Sequence, residues 1–199
     1  MNLFAVADIE SSALWDYYDF NRIEQADLLL SCGDLDPDYL SFLVTVTNLP
    51  LLYVHGNHDD TYKREPDGCI CIDDKIYVYN GVRILGLGGS MYYRKGKYMY
   101  TERKMRRRIR RLSSQLHKYG GFDILLTHAP AYHLGDQEDL PHRGFECFIP
   151  LLEKYKPAYM VHGHVHMNYA ADIAREIIYG ETTIINAFEK YEWSYEKED

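Results

Sequence analysis

The sequence predicts an α/β fold with a mixed sheet, and three observations carry that prediction. Short apolar runs recur at the length of buried strands, stretches of helical period alternate with the first of them, and Asn80-Gly81 divides two β-rich runs. A strand-helix-strand-helix-strand opening calls for parallel strands joined by right-handed crossovers, whereas Asn-Gly between β-rich runs calls for an antiparallel hairpin. Both belong to one chain, so parallel and antiparallel pairing are expected together.

The strand candidates, in order, are Leu3 to Ala7, Asp27 to Cys32, Leu51 to Val54, Ile76 to Tyr79, Val82 to Leu87, Asp123 to Thr127, Tyr159 to His162 and Thr183 to Asn186. Between the first two, Leu14, Tyr17, Tyr18 and Ile23 form an apolar stripe at helical spacing behind a Ser11 or Ser12 cap. Pro37 to Asn48 is the second helix candidate, and Phe145 to Tyr155 is a later one. Arg103 to Arg111 is strongly basic, but Met105, Ile109, Leu112 and Leu116 recur at helical spacing beside it. That pattern predicts an amphipathic helix with a solvated basic face. Glu196 to Asp199 reads as a charged, loosely held tail.

At 199 residues and 23.3 kDa, with 46% hydrophobic residues, the chain is expected to form one domain, residues 1–199, with a sizeable core. A net charge of -8 and a pI near 5.6 argue against general affinity for nucleic acid or an anionic membrane. The opening lacks a basic region, and Leu3 to Ala7 is too short for a signal or membrane span, so a cytoplasmic location is expected. Cys32, Cys69, Cys71 and Cys147 contain no C-x-x-C pair and read as reduced, mostly packing thiols.

The chemistry lies immediately after the strands. There follow, in turn, Asp8 and Glu10; Gly33-Asp34; Gly56-Asn57-His58-Asp59; Thr127-His128; and His162-Gly163-His164-Val165-His166. Every one of these strands ends in a residue able to bind a metal. On extended backbone, side chains two apart point the same way, which predicts that Asp8 with Glu10, and His164 with His166, each converge. Parallel strands gather ligands beyond their carboxyl ends, and glycine before a ligand lets the backbone turn sharply. Mixed oxygen and imidazole donors suit Mn, Fe, Zn or Co better than Ca. His55 and His162, on the strands, read as packing residues, His142 as a surface-loop histidine, and Tyr92, Tyr93, Tyr98 and Tyr100 as an aromatic cluster near a substrate pocket.

This order of motifs resembles the calcineurin-like metallophosphoesterase family, whose pattern runs Asp-x-His, Gly-Asp, Gly-Asn-His-(Asp/Glu), His, Gly-His-x-His. Four of the five blocks stand intact between Asp8 and His166. The resemblance implies a four-layer fold, two mixed β-sheets packed as a sandwich and flanked by helices. It also implies a hydrolase acting on a small phosphate ester, monoester or diester, through a hydroxide shared by two divalent metal ions. Manganese is expected first, with Fe, Zn or Mg as the other choices. By position, one metal would take Asp8, Asp34, His166 and Glu10, and the other Asp34, Asn57, His128 and His164. His58 would stand beside both as general acid, with Asp36, Asp38 or Asp59 orienting it, and Asp59 counts with His58 as the catalytic pair. The chain departs from the pattern at Glu10, where the family has histidine, and at Pro37, where some relatives carry a carboxylate. A nuclease of the same family, or a metal-binding interaction module with weak activity, are the rival functions.

Overall fold

A computed structural model describes residues 1–17, 23–168 and 173–196. The strands are β1 (Asn2–Ala7), β2 (Leu28–Ser31), β3 (Leu51–Tyr53), β4 (Ile70–Cys71), β5 (Lys75–Tyr79), β6 (Val82–Leu87), β7 (Ser90–Met91), β8 (Met99–Tyr100), β9 (Ile124–Thr127), β10 (Tyr159–His162), β11 (Glu176–Tyr179), β12 (Thr182–Asn186) and β13 (Glu189–Ser194). The α-helices are α1 (Ser12–Trp15), α2 (Pro37–Thr47), α3 (Glu102–Arg111), α4 (Ser113–Tyr119) and α5 (Ile149–Tyr155). One sheet has the order β13-β1-β2-β3-β4, the second β11-β12-β10-β9-β6-β5, and β7 pairs only with β8. Both large sheets are mixed: β1 to β4 run parallel with β13 antiparallel at one edge, while β6, β9, β10 and β12 run parallel between antiparallel edges β5 and β11.

Alternation along the strands builds the layers. In β1, Leu3, Ala5 and Ala7, with Leu28 and Leu30 of the adjacent β2, face the other sheet, where they meet Ile84, Leu126, Val161 and Ile185. Phe4 and Val6 face outward onto Leu14 of α1 and Tyr39, Leu40 and Leu43 of α2. On the far side, Leu85, Leu125, Met160 and Ile184 point away from the sandwich onto Met105, Leu116, Leu151 and Leu152 of the other helices. A period of two thus gives each parallel strand two buried faces, and the result is the expected four layers.

Local chemistry sets the ends of the elements. Asp36 caps α2 by accepting from the Asp38 N–H at 2.8 Å, Pro37 takes the first turn, and Asn48 ends the helix at φ 54°. At the β5–β6 hairpin, Asn80 and Gly81 have φ 47° and 82°, the two positive values a two-residue turn of right-handed twist requires. The predicted basic helix divides at Leu112 into α3 and α4, and its basic face is not wholly solvated. Arg108 is buried, donates to Asp74 and the Gly88 carbonyl, and lies across the Tyr100 ring. Phe145 to Tyr155 begins as a 3-10 turn, Glu146–Phe148, before α5. Of the first helical stripe, Leu14 is buried but Tyr17 is exposed, because α1 spans only one turn; Tyr18 lies outside the described residues, as do 197–199 of the expected tail. No helix among the described residues is long and apolar enough to cross a membrane.

Arg83 and Asp123 join β6 to the approach of β9. The Asp123 carboxylate accepts from the Arg83 backbone N–H at 2.7 Å and from Nε at 2.9 Å, and Asp123 is only 7% exposed. Removing it leaves the Arg83 backbone donor unpaired and the guanidinium with only the Tyr119 carbonyl. Asp123→Ala is expected to cost about 3 kcal/mol in urea unfolding; a loss under about 1 kcal/mol would show that the pair is not structural.

Candidate metal centre

Asp8, Asp34, His128 and His164 meet where the carboxyl ends of the two parallel strand sets come together. The ligand-type atoms of Asp34, His128 and His164 all lie within 4.8 Å of one another. His128 Nε2 lies 3.3 Å from Asp34 Oδ2 and 3.0 Å from Asn57 Oδ1. Its Nδ1–H donates to the Cys32 carbonyl at 2.8 Å, which turns Nε2 into the cluster. His164 Nε2–H donates to the Pro141 carbonyl at 2.7 Å, so its Nδ1 holds the free lone pair. The Asp8 carboxylate accepts the His164 backbone N–H at 2.9 Å, tying the first motif to the last.

Two reversals of the backbone lie at this convergence, and a third opens β13. Ile9 N–H bonds to the Ala7 carbonyl (2.7 Å), Val165 N–H to Gly163 (2.8 Å) and Lys190 N–H to Phe188 (2.9 Å). The central residues Asp8, His164 and Glu189 have φ 67°, 68° and 64°. These are γ-turns of the rarer, positive-φ kind, which cost energy in any residue but glycine. They also correct one expectation. Backbone at Asp8 and His164 is not extended, so the alternation of an extended strand does not set where Glu10 and His166 point. Glu10 is half-buried, and burial followed by the charge of Asp36 raises its pKa; its carboxylate lies against the Asp36 N–H, not among the three gathered residues. His166 is not one of that trio, but burial lowers its pKa and the charges of His142, Asp34, His128 and His58 act on its ring, which lies 4.8 Å from Phe188.

Two motif glycines make room for the carboxylates. A Cβ on Gly56 would stand 2.0 Å from Asp34 Oδ1, and one on Gly163 would stand 2.6 Å from Asp8 Oδ2. Asp34 itself has φ 57° and accepts the His58 N–H at 2.7 Å. Asp59 is 3% exposed, and one of its oxygens accepts from Gly56 N–H at 2.7 Å and Asp34 N–H at 3.1 Å. It therefore fastens the loop and does not orient the His58 ring. Asp36 caps α2 and Asp38 pairs with Arg64, so neither takes that part. The partner on the exposed His58 ring is Arg94, whose guanidinium is 3.4 Å from Nδ1. No motif marks Arg94, which lies 36 residues along the chain from His58.

The electrostatics call for positive charge. Burial, joined by the charge of Asp34, pushes the Asp8 carboxyl up to about 7, against the pull of His128. Burial and the charge of Asp34 push Asp59 up to about 6. Burial opposes ionisation of Asp34 too, but the charge and hydrogen bond of His128 outweigh it and hold the group at about 2. Burial disfavours a charged His128, yet Asp34 and Asp8 raise it to about 9, so a proton there takes the place a cation could fill. His164, lowered to about 3 by burial and by His128, is neutral. Asn57 supplies a further test: Nδ2 is buried without a hydrogen-bond partner while Oδ1 faces the cluster. An amide so placed is poorly served by hydrogen bonding and well placed as an oxygen ligand. With carboxylate, amide and imidazole donors together, the residues fit a divalent transition metal.

The remaining histidines divide. His162 is fully buried, donates from Nδ1 to the Gly163 carbonyl at 2.9 Å and is lowered to about 4 by burial. His55 is more than packing: it bonds Asp73 at 2.7 Å and Glu65 at 3.0 Å, and its ring stacks on Tyr98 at 4.2 Å. Burial opposes its charge, but Asp73 overrides it and raises the imidazole to about 10. His142 bonds Asp139 at 2.8 Å and stands 5.3 Å, ring to ring, from His164, closer to the centre than a surface loop position suggests.

Two solved structures share the architecture. The protein TT1561 of Thermus thermophilus is 14% identical and superposes with a TM-score of 0.65 over 94% of this chain and 89% of its own. Another solved structure, 12% identical, gives 0.68 over 94% and 90%. A conserved uncharacterized protein from Streptococcus pneumoniae, described as a predicted phosphoesterase, is 11% identical over 97% of this chain and 83% of its own, with a TM-score of 0.43. No curated protein matches the chain. The calcineurin-like phosphoesterase profile matches residues 3–168, which include every motif residue of the centre, and the chain belongs to that family of metal-dependent hydrolases.

Proposed function

We propose that the chain hydrolyses a small phosphate ester at this centre with two divalent metal ions, manganese first among them. The observation that carries the reading is the convergence of Asp34, His128 and His164 within 4.8 Å, with the Asn57 oxygen 3.0 Å from His128. Asp34, Asn57, His128 and His164 would hold one ion, and Asp8, Asp34 and His166 the other, with Glu10 beside it. Oxygen donors from Asp8, Asp34 and Asn57 support manganese over a softer choice. When bound, the ions supply an activated water near neutral pH and positive charge for the phosphate oxygens.

The protein's own groups do the rest. Asp34, gripped by the His58 N–H and by His128, keeps one geometry toward both ligand sets. The Cys32 and Pro141 carbonyls fix the tautomers of His128 and His164, so neither imidazole must reorganise when a cation arrives. His58 stands exposed on the next loop position, with Arg94 on Nδ1 and Nε2 open to the departing oxygen. A proton delivered there neutralises the alkoxide as the ester bond breaks. A cleft of about 550 Å³ beside Asp34 and His58, lined also by Asp36, Tyr62 and Lys63, has room for the alcohol.

The deciding experiment combines metal analysis of the purified protein with hydrolysis of a phosphomonoester, a phosphodiester and single-stranded DNA, each with manganese and with chelator. Ester hydrolysis abolished by chelator is the expected result. Activity confined to DNA would instead favour a nuclease, and no activity a metal-binding module.

His58→Ala should retain metal yet lose about 100-fold or more on alkyl esters, with a smaller loss on activated aryl esters. Equal loss on both would remove His58 from the acid role. Asp34→Asn should lower metal content and activity together; two tightly held ions at full rate would disprove its shared position.

Metal-free protein should lose stability as pH rises from about 6.5 to 9. Asp8, raised to about 7, contributes stability that fades between its unfolded value of 3.8 and 7, and His128, raised to about 9, contributes stability that fades between 6.5 and 9. Added manganese should then raise the melting temperature by an increment that grows with pH across that window. A pH-independent increment in thermal scans would mean that metal does not displace these protons.

A further inference from the structure

We infer that Arg94 forms an anion subsite for the leaving alcohol, so that the preferred ester carries a second negative group, phosphate or carboxylate, on the alcohol side. This rests on the hydrolytic reading above and narrows its substrate class.

The segment from Tyr92 to Tyr98 is a strap rooted at both ends. Ser90 N–H bonds to the Tyr98 carbonyl and Tyr92 N–H to the Tyr100 carbonyl, both at 3.0 Å, and β7 and β8 close the base. Tyr98 stacks on His55 at 4.2 Å, and from His55 the chain runs directly into Gly56-Asn57-His58. The strap is therefore held against the loop that presents His58. At its crest, Gly96 packs against Asp60, where a Cβ would stand 3.2 Å from the carboxylate.

Arg94 is thereby placed with its guanidinium 3.4 Å from His58 Nδ1 and 3.9 Å from Asp60 Oδ2. Among the described residues it forms no ion pair with Asp8, Asp34 or Asp59, the carboxylates of the centre. Tyr93 beside it also hydrogen-bonds the guanidinium, but five N–H donors in a planar fork leave further donors for a carboxylate or phosphate. Two groups able to carry positive charge thus face each other at the mouth of the site. The transferring phosphate belongs at the ligand cluster, and His58 Nε2 belongs to the departing oxygen. Arg94, on the other ring nitrogen, is one imidazole further along the alcohol. Lys95 and Lys97 in the same strap add positive charge in a chain of net charge -8, which draws an anion to this edge.

The test uses manganese-loaded protein and two aryl phosphates, 4-nitrophenyl phosphate and 3-carboxy-4-nitrophenyl phosphate, whose leaving phenols differ by one carboxylate. Wild type is expected to favour the carboxylated ester about tenfold in kcat/KM, chiefly through KM. Arg94→Met should bring that ratio to about one, and Arg94→Lys should keep about threefold, since a point charge without the fork retains part of the attraction. The matching pair of unhydrolysable aryl phosphonates, titrated calorimetrically, should show the same order in Kd. A wild-type ratio near one, or a ratio unchanged in Arg94→Met, would overturn the subsite. If neither ester turned over while the carboxylated phosphonate still bound more tightly through Arg94, the hydrolytic reading would fail and the subsite would stand.

Discussion

The structure turns on the burial of several carboxylates at one point between two sheets. Asp34 lies close enough to Asp8 and Asp59 to raise the pKa of each, in a setting where like charges are poorly screened. Such a group persists only with positive charge in its midst. His128, 0% exposed and between Asp34 and the Cys32 carbonyl, supplies one charge when protonated, and a metal would supply more. Much of the surrounding backbone serves this one demand. Gly33 and Gly56 cross so closely that a Cβ on Gly33 would be 2.2 Å from Gly56 N, which brings β2 and β3 together beneath Asp34. Asn186 then secures the opposite wall, donating to the Val165 carbonyl at 2.7 Å and accepting from Phe188 N–H at 2.9 Å.

Much of the fold was legible because strands with two buried faces leave uninterrupted apolar runs. Leu28 to Ser31 and Ile124 to Thr127 are buried at every position, and each expected strand is present to within a residue or two at either end. The strands that escaped notice lack that signature. β11, Glu176–Tyr179, alternates exposed with half-buried residues at a sheet edge, and no residue of β13 is fully buried. β4, β7 and β8 have two residues each, too short for any period to register.

The site was legible by kind and order, less so by direction. Ligand-type residues after successive strands pointed to one centre, and Asp34, His128 and His164 do meet there. The extended backbone assumed for Asp8 with Glu10 and His164 with His166 is absent at Asp8 and His164, and γ-turns are invisible in residue type unless glycine occupies them; His166 nonetheless feels the charges of Asp34 and His128. Arg94 and the Pro141 carbonyl escaped for another reason. Their roles depend on loops returning from a distance, and a backbone carbonyl has no sequence signature at all.

The pairing of β1 with β13 has a consequence for the order in which the protein can assemble. Asn2 lies opposite Ser194 and Ala7 opposite Glu189, so the strand that delivers Asp8 gains its second neighbour only after residue 194 has left the ribosome. His164, whose N–H holds the Asp8 carboxylate, also arrives late. Contacts so far apart in sequence form slowly, since a long loop must close before they contribute. A nascent chain therefore leaves Asp8 without its second neighbouring strand until β13 has emerged, and the buried carboxylates gather only once His164 and β13 are both available.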